Sequence, residues 1–379
     1  MKIVIVIPTY NEAENIGRMI DALAGEFAAN PMHDFHILVV EGNSPDGTAA
    51  IVKQKEAQYP FVHLLTEEKK AGLGAAYAFG FKYAMKNLAP DALVEMDADF
   101  QHDPKDVVRL VEPLSQGYDY VIGSRFTRGG GIPKDWALYR KFLSVGGNLF
   151  TKVVLGIFTI NDFTSGFKVS RVKGFVDKLN LDAILSGGFA YKMDLLYRMH
   201  KLGAKFKEVP IQFGLRDRGS SKMESNNFMD SLRVVVTLRF GKRIGSLINP
   251  NFIKFCIVGF IGLFVDTGLF NLLRVTVLSS QYAAITSGAT AMITTFLLNN
   301  YWSFSERQLE GYTKKVLSLI LYVVSSTIPI VVRSKLVEIA AVRFGDTFIV
   351  SNAAFAIGIV FGLLWNFTVY SKIIWRKSK

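Results

Sequence analysis

The 379 residues carry 44 Lys+Arg against 32 Asp+Glu, a formal charge of +12, and half of them are hydrophobic. This composition excludes a disordered, collagenous or coiled-coil chain, and the single cysteine, Cys256, excludes a disulfide scaffold. Residues 245–379 hold 12 basic and 5 acidic side chains and residues 1–244 hold the other 32 and 27, which predicts a soluble domain followed by a membrane domain.

In chain order, Met1-Lys2 runs into an apolar strand at 3–7, too short for a secretory signal, so the N-terminal domain is expected in the cytoplasm. Ile16, Met19, Ile20, Leu23 and Phe27 follow at helical spacing, with Asn11 as the expected cap. Strands are predicted at 35–40, 61–65, 92–96 and 120–122, and helices at 48–58, 73–87 and after Pro104. The alternation predicts a parallel sheet covered by helices, with ligands beyond the carboxyl ends of its strands. Residues 228–245 alternate apolar residues with Arg233, Arg239, Lys242 and Arg243, the pattern of an interfacial amphipathic helix or of an ordinary surface helix. Four membrane spans are predicted at 252–278, 282–304, 316–332 and 348–374, the third being the shortest. Eleven basic residues near the span ends lie on the side of the termini and four on the other, so both termini should be cytoplasmic. No long Lys/Arg block exists, and attraction to anionic lipid headgroups explains the basic excess better than nucleic acid does. The segments 297–304 and 363–370 repeat with Asn300 and Asn366 in register, which predicts a duplicated helix pair.

The central chemical motif is Met96-Asp97-Ala98-Asp99-Phe100-Gln101-His102. Two carboxylates and an amide oxygen at a strand end suit Mg²⁺ or Mn²⁺, which keeps positions open for water and phosphate oxygens. Pro8-Thr9-Tyr10-Asn11-Glu12 offers a ring and a carboxylate to a nucleoside. Glu41 faces the same end of the sheet, whereas Asp46 and Thr48 read as helix caps. Gly123-Ser124-Arg125, Tyr139-Arg140-Lys141 with Ser144, and the loop holding Arg216 and Lys222 supply cations for an anionic lipid head. Asp162 is a candidate for orienting a sugar hydroxyl. Asp266 lies mid-span and is either functional or bonded to a neighbouring helix.

Together these segments resemble glycosyltransferase family 2, and within it the polyprenol-phosphate (dolichol-phosphate) mannose synthases. The carrying motifs are Ile7-Pro8-Thr9-Tyr10-Asn11-Glu12, Asn43-Ser44-Pro45-Asp46-Gly47-Thr48, Met96 to His102, Gly123-Ser124-Arg125-Phe126, Tyr139-Arg140-Lys141 and Thr164-Ser165-Gly166-Phe167, in the family's order. The C-terminal part resembles a GtrA-type membrane domain. The resemblance implies an α/β GT-A (Rossmann-like) domain at 1–227, an interfacial helix and linker at 228–250, and an all-α four-helix transmembrane domain at 251–379. It implies a multi-pass cell-membrane enzyme that transfers mannose from GDP-mannose to dolichyl or polyprenyl phosphate with inversion. Pro8, Tyr10, Glu12 and Val40 would line the nucleotide pocket, and Asp97, Ala98, Asp99 and Gln101 would meet the metal and the diphosphate. Arg125, Arg140 and Ser144 would receive the lipid phosphate, with Arg216 and Lys222 closing over it; Asp99, Arg125 and Arg140 form the expected catalytic set. One departure is Gly42, where the family usually has a second acid beside Glu41. It keeps UDP-glucose or another donor as an alternative, alongside a lipid-linked sugar flippase or scaffold with an accessory soluble domain.

Overall fold

The computed structural model describes residues 1–215, 226–245, 248–276, 280–345 and 347–376. The chain divides into two compact units, Met1–Gly245 and Ser246–Lys379.

The first unit is built on seven strands, β1 (Lys2–Thr9), β2 (Asp34–Glu41), β3 (Val62–Thr66), β4 (Ala92–Glu95), β5 (Tyr120–Ser124), β6 (Lys168–Arg171) and β7 (Phe206–Pro210), in the order β3-β2-β1-β4-β6-β5-β7. The neighbours of β1 and the pairs β2–β3 and β5–β7 are parallel. Strand β6 runs antiparallel between β4 and β5, so the sheet is mixed rather than all-parallel. It escapes apolar patterning because it reads Lys-Val-Ser-Arg, with Lys168 and Ser170 both buried.

Helices α1 (Ile16–Ala29), α2 (Thr48–Gln58), α3 (Leu73–Asn87), α4 (Asp106–Val111), α5 (Leu138–Leu155), α6 (Tyr191–Lys201) and α7 (Asn226–Phe240) complete this unit, with the single turn α8 (Lys242–Gly245). Alternate strand side chains feed two cores: Val4, Val6, Leu38 and Val40 join α3 and α6, while Ile3, Ile5, Ile7, Ile37 and Val39 join α1. Helix α1 starts at Ile16, not behind Asn11. Asn11 adopts a left-handed φ of 53° and its N–H donates to Ser44 Oγ at 3.0 Å, so it shapes a turn instead of capping a helix.

The segment predicted as an interfacial helix belongs to the first unit. Val234 and Val235 of α7 are buried in the same core as α6, which is the behaviour of an ordinary packed surface helix.

The second unit contains α9 (Pro250–Thr276), α10 (Ser280–Leu298), α11 (Tyr312–Phe344) and α12 (Phe348–Val369). Helix α9 packs on α10 and α11 on α12. Among the described residues, three stretches, Pro250–Leu273, Tyr312–Phe344 and Ile357–Ile374, are long and apolar enough to cross a membrane. Helix α10, interrupted by serines and threonines, is not among them, so three of the four predicted spans meet that criterion. The third helix is the longest of the four, at 33 residues, because it continues through Arg333, Lys335 and Glu338 beyond its apolar stretch. Each pair ends in a wide π-turn, Asn299–Ser303 and Tyr370–Ile374. The second π-turn begins only at the last residue of the segment aligned by sequence, so the two copies differ in where the widening falls. Asn300 Oδ1 accepts from Trp375 Nε1 at 2.9 Å. Asp266 accepts from Ser287 Oγ on α10 at 2.7 Å, the helix-to-helix bond that is one of its two readings, though with Ser287 rather than an asparagine as partner.

Candidate active site

The chain leaves β4 in a tight turn that carries the Asp97/Asp99 pair. Phe100 sits at φ 61°, a strained conformation for an aromatic residue. The strain folds Asp99 back so that its Oδ1 accepts the Gln101 N–H at 3.1 Å. Asp99 is buried and Asp97 is half-exposed. The Asp97 N–H donates to His102 Nδ1 at 3.2 Å, which puts the proton of a neutral ring on Nε2. Burial, and then the Lys192 ammonium, push the His102 pKa down to about 3. The histidine therefore buttresses the turn rather than joining a metal shell. Gln101 Nε2 donates to Gly214 O at 3.3 Å, leaving its amide oxygen as the third oxygen donor. Among the described residues no three His, Cys, Asp or Glu side chains converge as a closed metal cage. Two carboxylates and an amide oxygen fit instead a hard ion that fills its shell with water and phosphate oxygens.

A second layer holds this turn from below. Tyr191 donates to Glu95 Oε2 at 2.6 Å and stacks on Tyr77, whose hydroxyl donates to Met96 O at 3.2 Å. Lys168 lies opposite Glu95 in the sheet and donates to Lys192 O at 3.0 Å. Burial pushes the Lys168 ammonium down to about 8. Gly166 is where these groups meet: a Cβ there would lie 2.5 Å from Lys192 Nζ, 3.1 Å from His102 Cε1 and 3.2 Å from Asp97 Oδ2. Gly166→Ala is expected to displace the Lys192 and Asp97 side chains and lower turnover about a hundredfold. Transfer at the wild-type rate by that variant would show that the crowding is relieved elsewhere.

His102 also sets an acid limit. The unfolded chain takes up this proton near 6.5 and the fold only near 3. Stability should fall as pH drops through that window, by about 1.4 kcal/mol per unit from this group. Urea midpoints between pH 7 and 4 check this: a His102→Asn variant should have the shallower dependence, and equal slopes would count against it.

The basic side of the site is a locked fork. Arg125 follows β5 and donates from its backbone N and Nε to Asp162 Oδ2, at 3.0 and 2.8 Å, and from Nη2 to Asp162 Oδ1 at 2.7 Å. Nη2 also reaches Thr164 Oγ1 at 2.7 Å, and Asn148 of α5 donates to that same oxygen at 3.1 Å. Glu208 of β7 fixes the backbone N–H groups of Asn161 and Asp162 at 3.1 and 3.0 Å. Burial alone would raise the Asp162 pKa, but the Arg125 fork overrides it and holds the carboxyl below its usual range.

Helix α5 exposes most of its apolar side chains, although Leu155 is buried and Phe150 and Val154 pack on the core. Asn148 and Thr151 are buried against the protein, while Leu138, Tyr139, Phe142, Val145, Leu149 and Val153 are exposed. Arg140 lies 3.9 Å over the Trp136 ring, and Ser144 follows one turn later. Phe213 ties the two sides together, meeting Trp136 at 5.8 Å, His102 at 5.4 Å and the Arg125 guanidinium at 5.4 Å.

On the opposite side, Glu12 is buried and accepts from Asn15 at 2.9 Å. Lys70 lies 4.1 Å over the Tyr10 ring. The carboxylate of Glu41 accepts the N–H groups of Asn43 and Ser44 at 2.9 and 2.8 Å. Asp46 accepts from Ala13 N and Thr48 N, each at 3.0 Å.

Residues 4–176 match the glycosyl transferase family 2 model, and residues 254–375 match the GtrA/DPMS transmembrane domain. The polyprenol monophosphomannose synthase of Mycolicibacterium smegmatis is 36% identical over 229 residues, covering 60% of this chain and 83% of that protein. The undecaprenyl-phosphate mannosyltransferase of Micrococcus luteus is 39% identical over 227 residues, 59% of this chain and 88% of the relative. The dolichol-phosphate mannosyltransferase of Pyrococcus furiosus is 33% identical over 311 residues, 81% of this chain and 82% of the relative, and so runs on into the membrane unit. The chain belongs to glycosyltransferase family 2, on the polyprenyl-phosphate mannosyltransferase branch. It is a membrane-associated enzyme.

In this glycosyltransferase, Asp97, Asp99 and Gln101 come together on one turn, and Arg125, Arg140 and Ser144 lie around the α5 side. Pro8, Tyr10 and Glu12 gather where β1 ends. Four residues sit differently from expectation. Val40 packs under Gly80 in the core, where a Cβ on that glycine would lie 2.7 Å from Val40 Cγ2, so its side chain lines no pocket. Ala98 is likewise buried in the core. Asp162 spends its oxygens on Arg125 rather than facing a sugar, and Glu41 spends its own on the turn that follows it. Arg216 and Lys222 lie outside the described residues. Sequence reading passed over Phe213, Trp136, Lys192, Asn148 and Glu67. Phe213-Gly214 lies two residues before Arg216 in sequence, but an aromatic residue beside a glycine is too common to mark a site alone.

Proposed function

We propose that this enzyme transfers mannose from GDP-mannose to a dolichyl or other polyprenyl phosphate, with inversion at the sugar C1 and with Mg²⁺ or Mn²⁺ at Asp97 and Asp99. The observation that carries the reading is α5, which exposes a run of apolar side chains, carries Arg140 and Ser144, and meets the buried Arg125 fork through Asn148 and Thr164. A helix dressed in this way suits an acceptor whose phosphate enters the site while its prenyl chain stays in lipid. On this reading the catalytic unit and both termini are cytoplasmic.

A divalent cation held by the two carboxylates and the Gln101 oxygen would neutralise charge on the departing diphosphate. The chain's own groups do the rest. Pro8, Tyr10 and Glu12 receive the nucleoside. The Asp162 fork aims Arg125 so that Nη1, the nitrogen outside the fork, meets the acceptor phosphate together with Arg140. That phosphate is already an anion at neutral pH, so no general base is required. An acceptor oxygen forms the new bond to C1 as the bond from C1 to the diphosphate breaks, and the bonding pair leaves with GDP. The Lys192 ammonium lies beside Asp97 and adds positive charge on the leaving side. Positioning and electrostatics therefore carry the rate.

The test supplies membranes containing the protein with labelled GDP-mannose or UDP-glucose plus Mn²⁺ and follows label into organic solvent. Label from GDP-mannose alone is the expected result. Label from UDP-glucose alone, or from neither, refutes the donor assignment.

A further inference from the structure

Among the described residues, Glu67 is an acid at the nucleoside end of the site whose carboxylate neither shapes a turn nor has a role in the proposed transfer. It lies one residue past β3. Its backbone N–H donates to Glu41 O at 2.8 Å, so the β2–β3 ladder carries it to the level of Tyr10 and Gly42. A Cβ on Gly42 would lie 3.5 Å from Glu67 Oε2 and equally 3.5 Å from Tyr10 Cδ2. The carboxylate thus reaches across the space that the glycine leaves open, towards the edge of the aromatic ring. Two of its acidic neighbours are spent, Glu41 on Asn43 and Ser44 and Asp46 on Ala13 and Thr48. Among the described residues no donor reaches the Glu67 side chain, although it is partly buried.

A half-buried carboxylate bonded only by solvent gains when a fixed pair of donors takes the place of the water. We propose that the donor nucleotide supplies it: Glu67 accepts a pair of adjacent donors from the nucleoside, and so anchors the substrate where position 42 has no side chain. Two parts of a guanosine present such a pair, the N1–H and amino edge of the base and the 2′,3′-diol of the ribose. Uracil presents a single N–H between two carbonyls, which a carboxylate repels. Burial, and then the nearby Glu41 charge, raise the Glu67 pKa, consistent with a group still missing its partner.

This inference rests on the proposed reading of the site as a nucleotide-sugar site, and the experiment separates the two. Affinities of the full chain in detergent are measured by calorimetry with Mn²⁺ for GDP, IDP, 2′,3′-dideoxy-GDP and UDP, in wild type and Glu67→Gln. The variant is expected to bind GDP at least about tenfold more weakly, to raise KM for GDP-mannose with kcat within about twofold, and to keep the wild-type thermal midpoint. If the wild-type preference for GDP over IDP disappears in the variant, Glu67 holds the base edge. If the preference over the dideoxy nucleotide disappears, it holds the ribose. A variant that binds both GDP and UDP as wild type does overturns the assignment of Glu67. A wild-type chain that prefers UDP refutes the guanosine donor instead, and the same pair of proteins titrated with UDP then decides Glu67.

Discussion

Asp99→Ala is expected to lower mannosyl transfer by at least about a thousandfold while leaving the fold in place. The loss is large because Asp97 and Asp99 are the two carboxylates proposed for the cation, and the strained Phe100 turn fixes Asp99 on the Gln101 N–H. The fold should survive because the bond to the Gln101 N–H contributes about 1 kcal/mol and one negative charge is removed from a buried turn. Chelation of divalent ions should produce the same loss in the wild type and none further in the variant. Radiolabel transfer and a thermal melt in detergent check both halves; a variant with more than a tenth of wild-type activity would contradict the assignment of Asp99.

Asp162→Ala should do the opposite and strike the fold. Its carboxylate is fully buried and takes three bonds from Arg125, itself almost fully buried. Removing it leaves a guanidinium with no countercharge in the interior, at a cost of about 3–5 kcal/mol. Asp162→Asn keeps the shape and should lose less stability, but it mispairs with the fork and frees Arg125 to turn from the acceptor. Arg125→Lys separates the roles further, since an ammonium balances the charge without reproducing the two-pronged geometry. The expected order of melting points is wild type, then Asp162→Asn, then Asp162→Ala, with transfer reduced in all three variants. A fully stable Asp162→Ala protein would mean that the fork is not a structural clamp.

The first four parallel strands and the strand at 120–122 were legible because each is a short apolar run beside a turn, and burial on both faces writes that pattern directly. Strand β6 was not, because a central strand that buries Lys168 and Ser170 has no hydrophobic signature; it is stabilised by Glu95 across the ladder and by the Lys192 carbonyl. The Asp97/Asp99 pair and Arg125 were legible as residue types at strand ends, and Arg140 at a helix start. Their partners were not. Asp162 meets Arg125 across 37 residues, and Glu95 meets Tyr191 across 96, distances over which spacing carries no information. The same blindness gave Asp162 a sugar and Glu41 an open site. Residues 228–245 allowed an interfacial or an ordinary surface helix; the buried Val234 and Val235 of α7, which favour the second, can be recognised only once α6 is seen beside them, and an exposed apolar face lies on α5.

The central claim is a single in-line displacement in which the acceptor phosphate itself attacks C1. The anomeric configuration of the lipid product tests it most directly: GDP-mannose carries an α-linked sugar, so one displacement yields β-mannosyl phosphate, read from the one-bond C1–H1 coupling of the purified lipid. A β product is expected, and an α product would contradict the mechanism by requiring a second displacement and a nucleophile that it does not include.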